Sequence, residues 1–358
     1  MTVYKPLSTD DKVSTKTLLH EAIPITGTIV SGTYSEGNIQ NFTHGMFQSV
    51  YDYPYLSSSA NHIFDISFGT ADTSPLVVTN QVAKKDNIYN QMAQVLMGYD
   101  KDGKIQKFDE DGDLASGGYK ITEAIFLPFS RLLAKDEVKK GSFSLTLGVS
   151  ASYEEAEGVF NSLITVTDQE AATSYKVNSP SGEYGILYAT ASAGWQTLDR
   201  TSAHTKILKD GLMYWRAGLI YYQAGIAVLT SSMFMASSDG GYLAGNSSVS
   251  CGFKYGETGT ADRVSLTGSL ISEQISGSAR TLRTRIKNIQ FNNSIELNST
   301  VYFCRVKHNE FNYSSNPTYL TGSQIRVKNE STNPPISYIT SIGLYSADNQ
   351  LLAVGKFS

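Results

Sequence analysis

The densest group of side chains that could do chemistry is the acidic stretch Tyr99–Tyr119. It carries Asp100, Asp102, Asp109, Glu110, Asp111 and Asp113 among Gly103, Gly112, Gly117 and Gly118. Spaced carboxylates beside a glycine are the raw material of a calcium loop, which needs oxygen ligands at alternate early positions, a glycine at position six and a bidentate Glu at its end. Setting Gly103 at position six puts Asp100 and Asp102 at positions three and five. It also puts Gly98 at position one and Asp109 where the closing Glu belongs. Two ligands are wrong or weak, and no clearly periodic helix follows, so the stretch reads as a solvated, flexible acidic loop.

The remaining chemistry is scattered. His20, His44, His62, His204 and His308 sit in no ligand or base motif. Cys251 and Cys304 lie far apart with no Cys-x-x-Cys spacing, which argues against zinc and reads as two buried thiols in a reducing cytosol, with a disulfide as the alternative. No nucleophile elbow, zinc-protease signature or phosphate-binding glycine loop occurs. Carboxylates are plentiful, but nothing selects a glycosidase pair, and the adjacent Glu154 and Glu155 are poor partners. No catalytic, cofactor-binding or metal residue is assigned, and the chain reads as a non-enzyme.

The elements that would have to position any site are strands. Charged residues are 17% of the 358, below the usual quarter, while 22 Tyr and 30 Gly against 9 Pro favour strands, turns and polar contact surfaces. In Asn61–Gly69, Phe64, Ile66 and Phe68 form one buried face. Phe143, Leu145, Leu147 and Val149 alternate with polar residues. Tyr214–Leu229 is a hairpin, or one long strand bulged at Gly225. One substantial helix is expected near Asp86–Met97, capped by Asp86, with Ile88, Met92, Val95 and Leu96 inward and Gly98 closing it. Thr15–Ala22 has room for two helical turns before Pro24. Leu282–Phe291 reads as a strand with Arg283, Arg285 and Lys287 on one face, either solvated or turned toward an acidic neighbour.

The fold class is therefore mainly β (α+β), with antiparallel, sandwich-like domains and one or two short helices. The expected organisation is an arm over 1–28, an α+β domain over 29–150, a β domain over 151–280 with a Ser/Gly-rich excursion at 231–259, and a C-terminal β segment over 281–358. That last segment holds strands at Thr300–Val306 and Ser323–Lys328, then a hairpin of Ile336–Tyr345 and Leu351–Phe357 around Ser346-Ala347-Asp348-Asn349. If its apolar side chains are buried, deleting Leu351–Ser358 would unfold the domain.

Several blocks resemble virion structural proteins of large tailed phages of the marine and cyanobacterial, myovirus-like type. They are Ser59–Ile66, Ile88–Leu96, Phe129–Leu133, Lys139–Phe143, Glu310–Pro317 and Tyr338–Val354. A weaker resemblance, carried by Phe68-Gly69, Asp86 and Met97-Gly98, is to baseplate wedge proteins of contractile tails. The resemblance implies a non-enzymatic tail or baseplate subunit, assembled in the host cytoplasm into the virion, whose partners are copies of itself and other phage structural proteins. A neck or capsid-associated position is the alternative. A receptor- or glycan-binding module using Trp195, Trp215 and Tyr242, and a secreted polysaccharide-degrading enzyme, are competing classes. The net charge of −4 argues against nucleic-acid recognition. No apolar run is long enough to span a membrane as a helix, and Met1–Ser14 does not read as a signal peptide.

Overall fold

The structure, a computed structural model, describes residues 4–21, 39–41, 45–52, 61–74, 81–114, 118–148, 163–191, 206–209, 212–234, 274–306, 318, 320–321, 324–325 and 339–357. The chain forms two compact units, Leu18–Leu297 and a smaller one made of Met1–Thr17 with Asn298–Ser358. The architecture is mainly β and antiparallel, as the composition implies.

The larger unit is built on one twelve-stranded sheet. Its strands, in chain order, are β1 (Ile39–Asn41), β2 (Gln48–Asp52), β3 (Asn61–Thr70), β4 (Glu123–Pro128), β5 (Ser144–Gly148), β6 (Leu163–Thr167), β7 (Lys176–Ser179), β8 (Gly182–Ala191), β9 (Lys206–Lys209), β10 (Leu212–Tyr221), β11 (Ile226–Thr230) and β12 (Ile286–Gln290). The spatial order is β12-β5-β6-β8-β10-β11-β4-β3-β2-β1, with β7 paired to β8 and β9 to β10. The central strands are covered on both faces. In β3 the expected Phe64, Ile66 and Phe68 are buried, and so are Ile63 and Ser67 opposite them. In β4 the run Ala124-Ile125-Phe126-Leu127 is buried throughout, so a strand with two dry faces loses its alternation.

Tyr214–Leu229 resolves as a hairpin, with Tyr221 paired to Ile226 across a turn in which Gly225 takes φ +67°. The irregularity lies elsewhere: the β8–β10 register shifts where Gly218 faces Leu187 and Arg216 faces Tyr188. The helix α1 (Val82–Leu96) packs on β3. It starts earlier than expected, at a left-handed Gln81. Asp86 is therefore no cap; it accepts the Thr70 hydroxyl at 2.8 Å. Ile88 and Leu96 are buried, but Val95 is exposed; Gly98 closes the helix at φ +80°.

Two strand-or-helix expectations are reversed. Over Thr15–Glu21 the expected helix is absent: Lys12–Glu21 is a strand, and Ala22 lies outside the described residues. Leu282–Phe291 is not one strand. Residues Ile275–Arg285 form a helix, here α3 (α2 being the single turn Arg131–Ala134), and only Ile286–Gln290 continues as β12. Ile275, Ala279 and Leu282 are buried at helical spacing. Arg283 and Arg285 are buried too, and Arg285 Nη1 donates to the Gly148 carbonyl at 2.8 Å, so neither forms a solvated cationic stripe.

In the smaller unit, Ser8 and Asp11 form a capping box ahead of the Lys12 strand. That strand exchanges side-chain hydrogen bonds with the Asn293–Tyr302 strand, Ser14 with Thr300 at 3.0 Å and Thr15 with Ser299 at 2.8 Å. The strand expected at Thr300–Val306 thus begins earlier and stops at Tyr302. Of Ser323–Lys328, only Gln324-Ile325 is described, as a strand.

Candidate functional site

The first candidate is the exposed hairpin of Ser341–Tyr345 and Leu351–Lys356. Its turn closes as the sequence implies. Ser346 N–H donates to the Gln350 carbonyl at 2.8 Å, and Asn349 adopts the left-handed conformation that Asn tolerates. The register shifts at Leu344/Tyr345, where Tyr345 faces Leu351 and Leu344 faces Ala353. The side chains do not enter a core: Leu351, Leu352, Val354 and Phe357 are each more than half exposed. This overturns the expectation that the last strand holds the domain together by burial.

The second candidate is the acidic stretch, which is solvated only in part: Lys101–Lys104 and Asp113 are exposed, while Phe108–Glu110 are buried. It splits in two. Around Asp100 the chain makes a tight turn in which Asp100 Oδ1 accepts the N–H groups of Asp102 (2.9 Å) and Lys104 (2.8 Å), while Gly103 takes φ +77°. The Asp100 carboxylate thus serves the turn. Beyond it, Phe108-Asp109 pairs with Lys120-Ile121 as a short antiparallel ribbon. Tyr89, from α1, fastens the base of this ribbon: its hydroxyl donates to the Ile121 carbonyl at 2.6 Å and accepts the Phe108 N–H at 3.2 Å. Phe108 packs among Tyr89, Phe126 and Tyr221.

This anchoring carries Asp109 and Glu110 into the protein, where both are buried. Asp109 Oδ2 meets Lys120 Nζ at 2.9 Å and accepts the Leu114 N–H at 2.8 Å. Asp111 pairs with Arg216 of β10 at 3.2 Å, and Asn178 Nδ2 of β7 donates to the Gly112 carbonyl at 3.0 Å. Burial pushes the Asp109 carboxyl up, against the lowering effect of Lys120.

Two further polar clusters have structural geometry. Ser49 Oγ donates to Asp65 Oδ1 at 2.5 Å, and His62 Nε2 lies 2.8 Å from the same oxygen. A serine nucleophile needs the histidine as its immediate base; here the carboxylate stands between them. Asp168 accepts the N–H groups of Gly141 and Phe143, each at 2.8 Å, and the Tyr222 hydroxyl at 3.0 Å, pinning three segments together.

Of the aromatic residues considered for glycan stacking, Trp215 is buried, so it offers no open face; Trp195 and Tyr242 lie outside the described residues. Cys304 is exposed, against the expectation of a buried thiol, and Cys251 lies outside the described residues, as do His44, His204, His308 and most of the 231–259 excursion. Among the described residues, no helix is long and apolar enough to cross a membrane. No protein-family model matches the chain, and no curated protein or solved structure is significantly similar to it.

Proposed function

We propose that the chain is a non-enzymatic structural subunit of a tailed-phage virion that acts by subunit–subunit assembly, with the tail or baseplate as its place and the neck or capsid as the alternative. The observation that carries this reading is the exposed apolar hairpin. An edge bearing Leu351, Leu352, Val354 and Phe357 in water, with Lys356 as the only charge in its last strand, invites association. Free monomers usually blunt such an edge with charge, proline or a bulge; here Lys356 and the register shift at Tyr345 do so only in part, and a subunit that is always covered by a neighbour needs no more. The sequence blocks that resemble phage virion proteins support the same reading, and Tyr338–Val354, which contains most of the hairpin, is one of them.

The test is a paired substitution, Leu352→Asp with Val354→Asp, in a phage that encodes this chain. Both residues are exposed, so the substituted chain should fold as the wild type does. The expected result is that wild-type chain co-purifies with intact particles and the substituted chain is left in the soluble fraction. Incorporation of both to the same extent, or absence of the wild-type chain from purified particles, overturns the proposal.

A further inference from the structure

We propose that the ribbon loop after Phe108 is a divalent-cation site, formed by Asp109, Asp111 and Asp113 and suited to calcium. One carboxylate oxygen from each of the three lies within 4.8 Å of the others, close enough for a single ion to touch all three. Carboxylate oxygens are hard ligands, and an irregular, partly buried loop suits the variable coordination of calcium better than the strict octahedron of magnesium.

Proximity of acidic groups alone is common on protein surfaces. The deciding observation is Asp109. The residue is fully buried, and its Oδ1 has no hydrogen-bond partner. Its other oxygen is already engaged by Lys120 Nζ and the Leu114 N–H. A buried carboxylate oxygen without a partner is costly and rare in a native protein, and each case calls for a cause such as an ion. A cation bound between Asp109, Asp111 and Asp113 supplies the missing interaction.

The chain pattern agrees with this register. Asp109, Asp111 and Asp113 fall at positions one, three and five of a calcium loop. Position six, which is glycine in such loops because the chain must turn sharply there, is Leu114, and it takes the required left-handed conformation at φ +58°. The closing position, normally a bidentate Glu, is Lys120, whose ammonium sits on Asp109 instead. The site is therefore weaker than a signalling calcium loop, in the range of roughly 10⁻⁴–10⁻³ M. Asp111 must share its carboxylate between the ion and Arg216.

The test uses the full-length chain freed of metal by chelation, titrated with calcium chloride in a calorimeter and followed by thermal melting. Saturable binding of one calcium ion, with a rise in melting temperature, is expected. Asp113→Asn, at an exposed position that does not disturb the core, should weaken binding about tenfold or more, and Asp111→Asn should do the same; Asp100→Asn, in the neighbouring turn, should leave affinity unchanged. No saturable calcium binding up to several times the roughly 10⁻³ M upper bound by folded wild-type chain overturns the proposal. So does binding that Asp113→Asn and Asp111→Asn leave intact.

Discussion

A β-carbon placed on Gly69 would lie 2.8 Å from the backbone nitrogen of Tyr89. Real β-carbons do not approach other atoms so closely, and here the obstacle is helix backbone, which cannot rotate away. Helix α1 therefore rests on the bare backbone of β3 at this point. Gly69→Ala should force the helix outward and lower stability by about 1–3 kcal/mol, the usual penalty of overpacking. Because Tyr89 also fastens the acidic ribbon, the substitution should increase hydrogen exchange at Phe108. Chemical denaturation and exchange together check this; an unchanged denaturation midpoint would mean that the helix can shift at no cost.

Asp168 gives a prediction with a pH sign. Burial pushes its carboxyl above the ordinary 3.8, and the three hydrogen bonds it accepts pull it only part of the way back. The folded state thus holds the proton more tightly than the unfolded chain, so its stabilising contribution is greatest below pH 3.8 and declines as pH rises through the folded value. Asp168→Asn cannot ionise, and at every pH it carries a donor in place of one oxygen, as the protonated carboxyl does in acid. It should therefore remove this pH dependence. Denaturation midpoints of the two proteins between acid and neutral pH measure this: the wild type should lose stability relative to Asp168→Asn as pH rises, and a wild type that gains on the variant would contradict the sign.

The buried tyrosines predict alkaline behaviour. Burial raises the phenols of Tyr89, Tyr221 and Tyr222 well above the ordinary 10.0, with Asp168 adding to the effect on Tyr222. The unfolded chain releases these protons first, so stability is intact below pH 10.0 and falls as pH rises beyond it. Followed by phenolate absorbance, this group should ionise together with loss of tertiary structure. Smooth ionisation of all tyrosines in a chain that stays folded would show that these phenols are reached by water.

Removing the last strand should leave the larger unit intact. Leu351, Leu352, Val354 and Phe357 are exposed, so deletion of residues 351–358 forfeits little burial. The denaturation midpoint of the Leu18–Leu297 unit should stay within about 0.5 kcal/mol of its original stability, as for surface changes in general. Loss of cooperative unfolding in the truncated chain would return the hairpin to a structural role.

What the sequence determined by itself is the local β character. Alternation at Phe143, Leu145 and Leu147, the Phe64/Ile66/Phe68 face, the presence of α1 though not its start, the left-handed stop at Gly98 and the Ser346–Asn349 turn all follow from neighbours close in the chain, and all are present. The tertiary structure decided the rest. Arg283 and Arg285 sit two apart, as on a strand face, while Ile275, Ala279 and Leu282, buried at helical spacing, lie on the inward face of α3. Thr15–Glu21 became a strand because the Lys12–Glu21 segment joins a sheet beside Asn293–Tyr302, a partner almost the whole chain away. The acidic stretch was legible as acidic but not as buried. Its inward position depends on Tyr89, Phe108, Phe126 and Tyr221, brought together from separate elements, and on Lys120 and Arg216 arriving to meet Asp109 and Asp111. Desolvation is a property of surroundings rather than of spacing, so which carboxylate oxygen is left without a partner could emerge only once distant segments had packed around it.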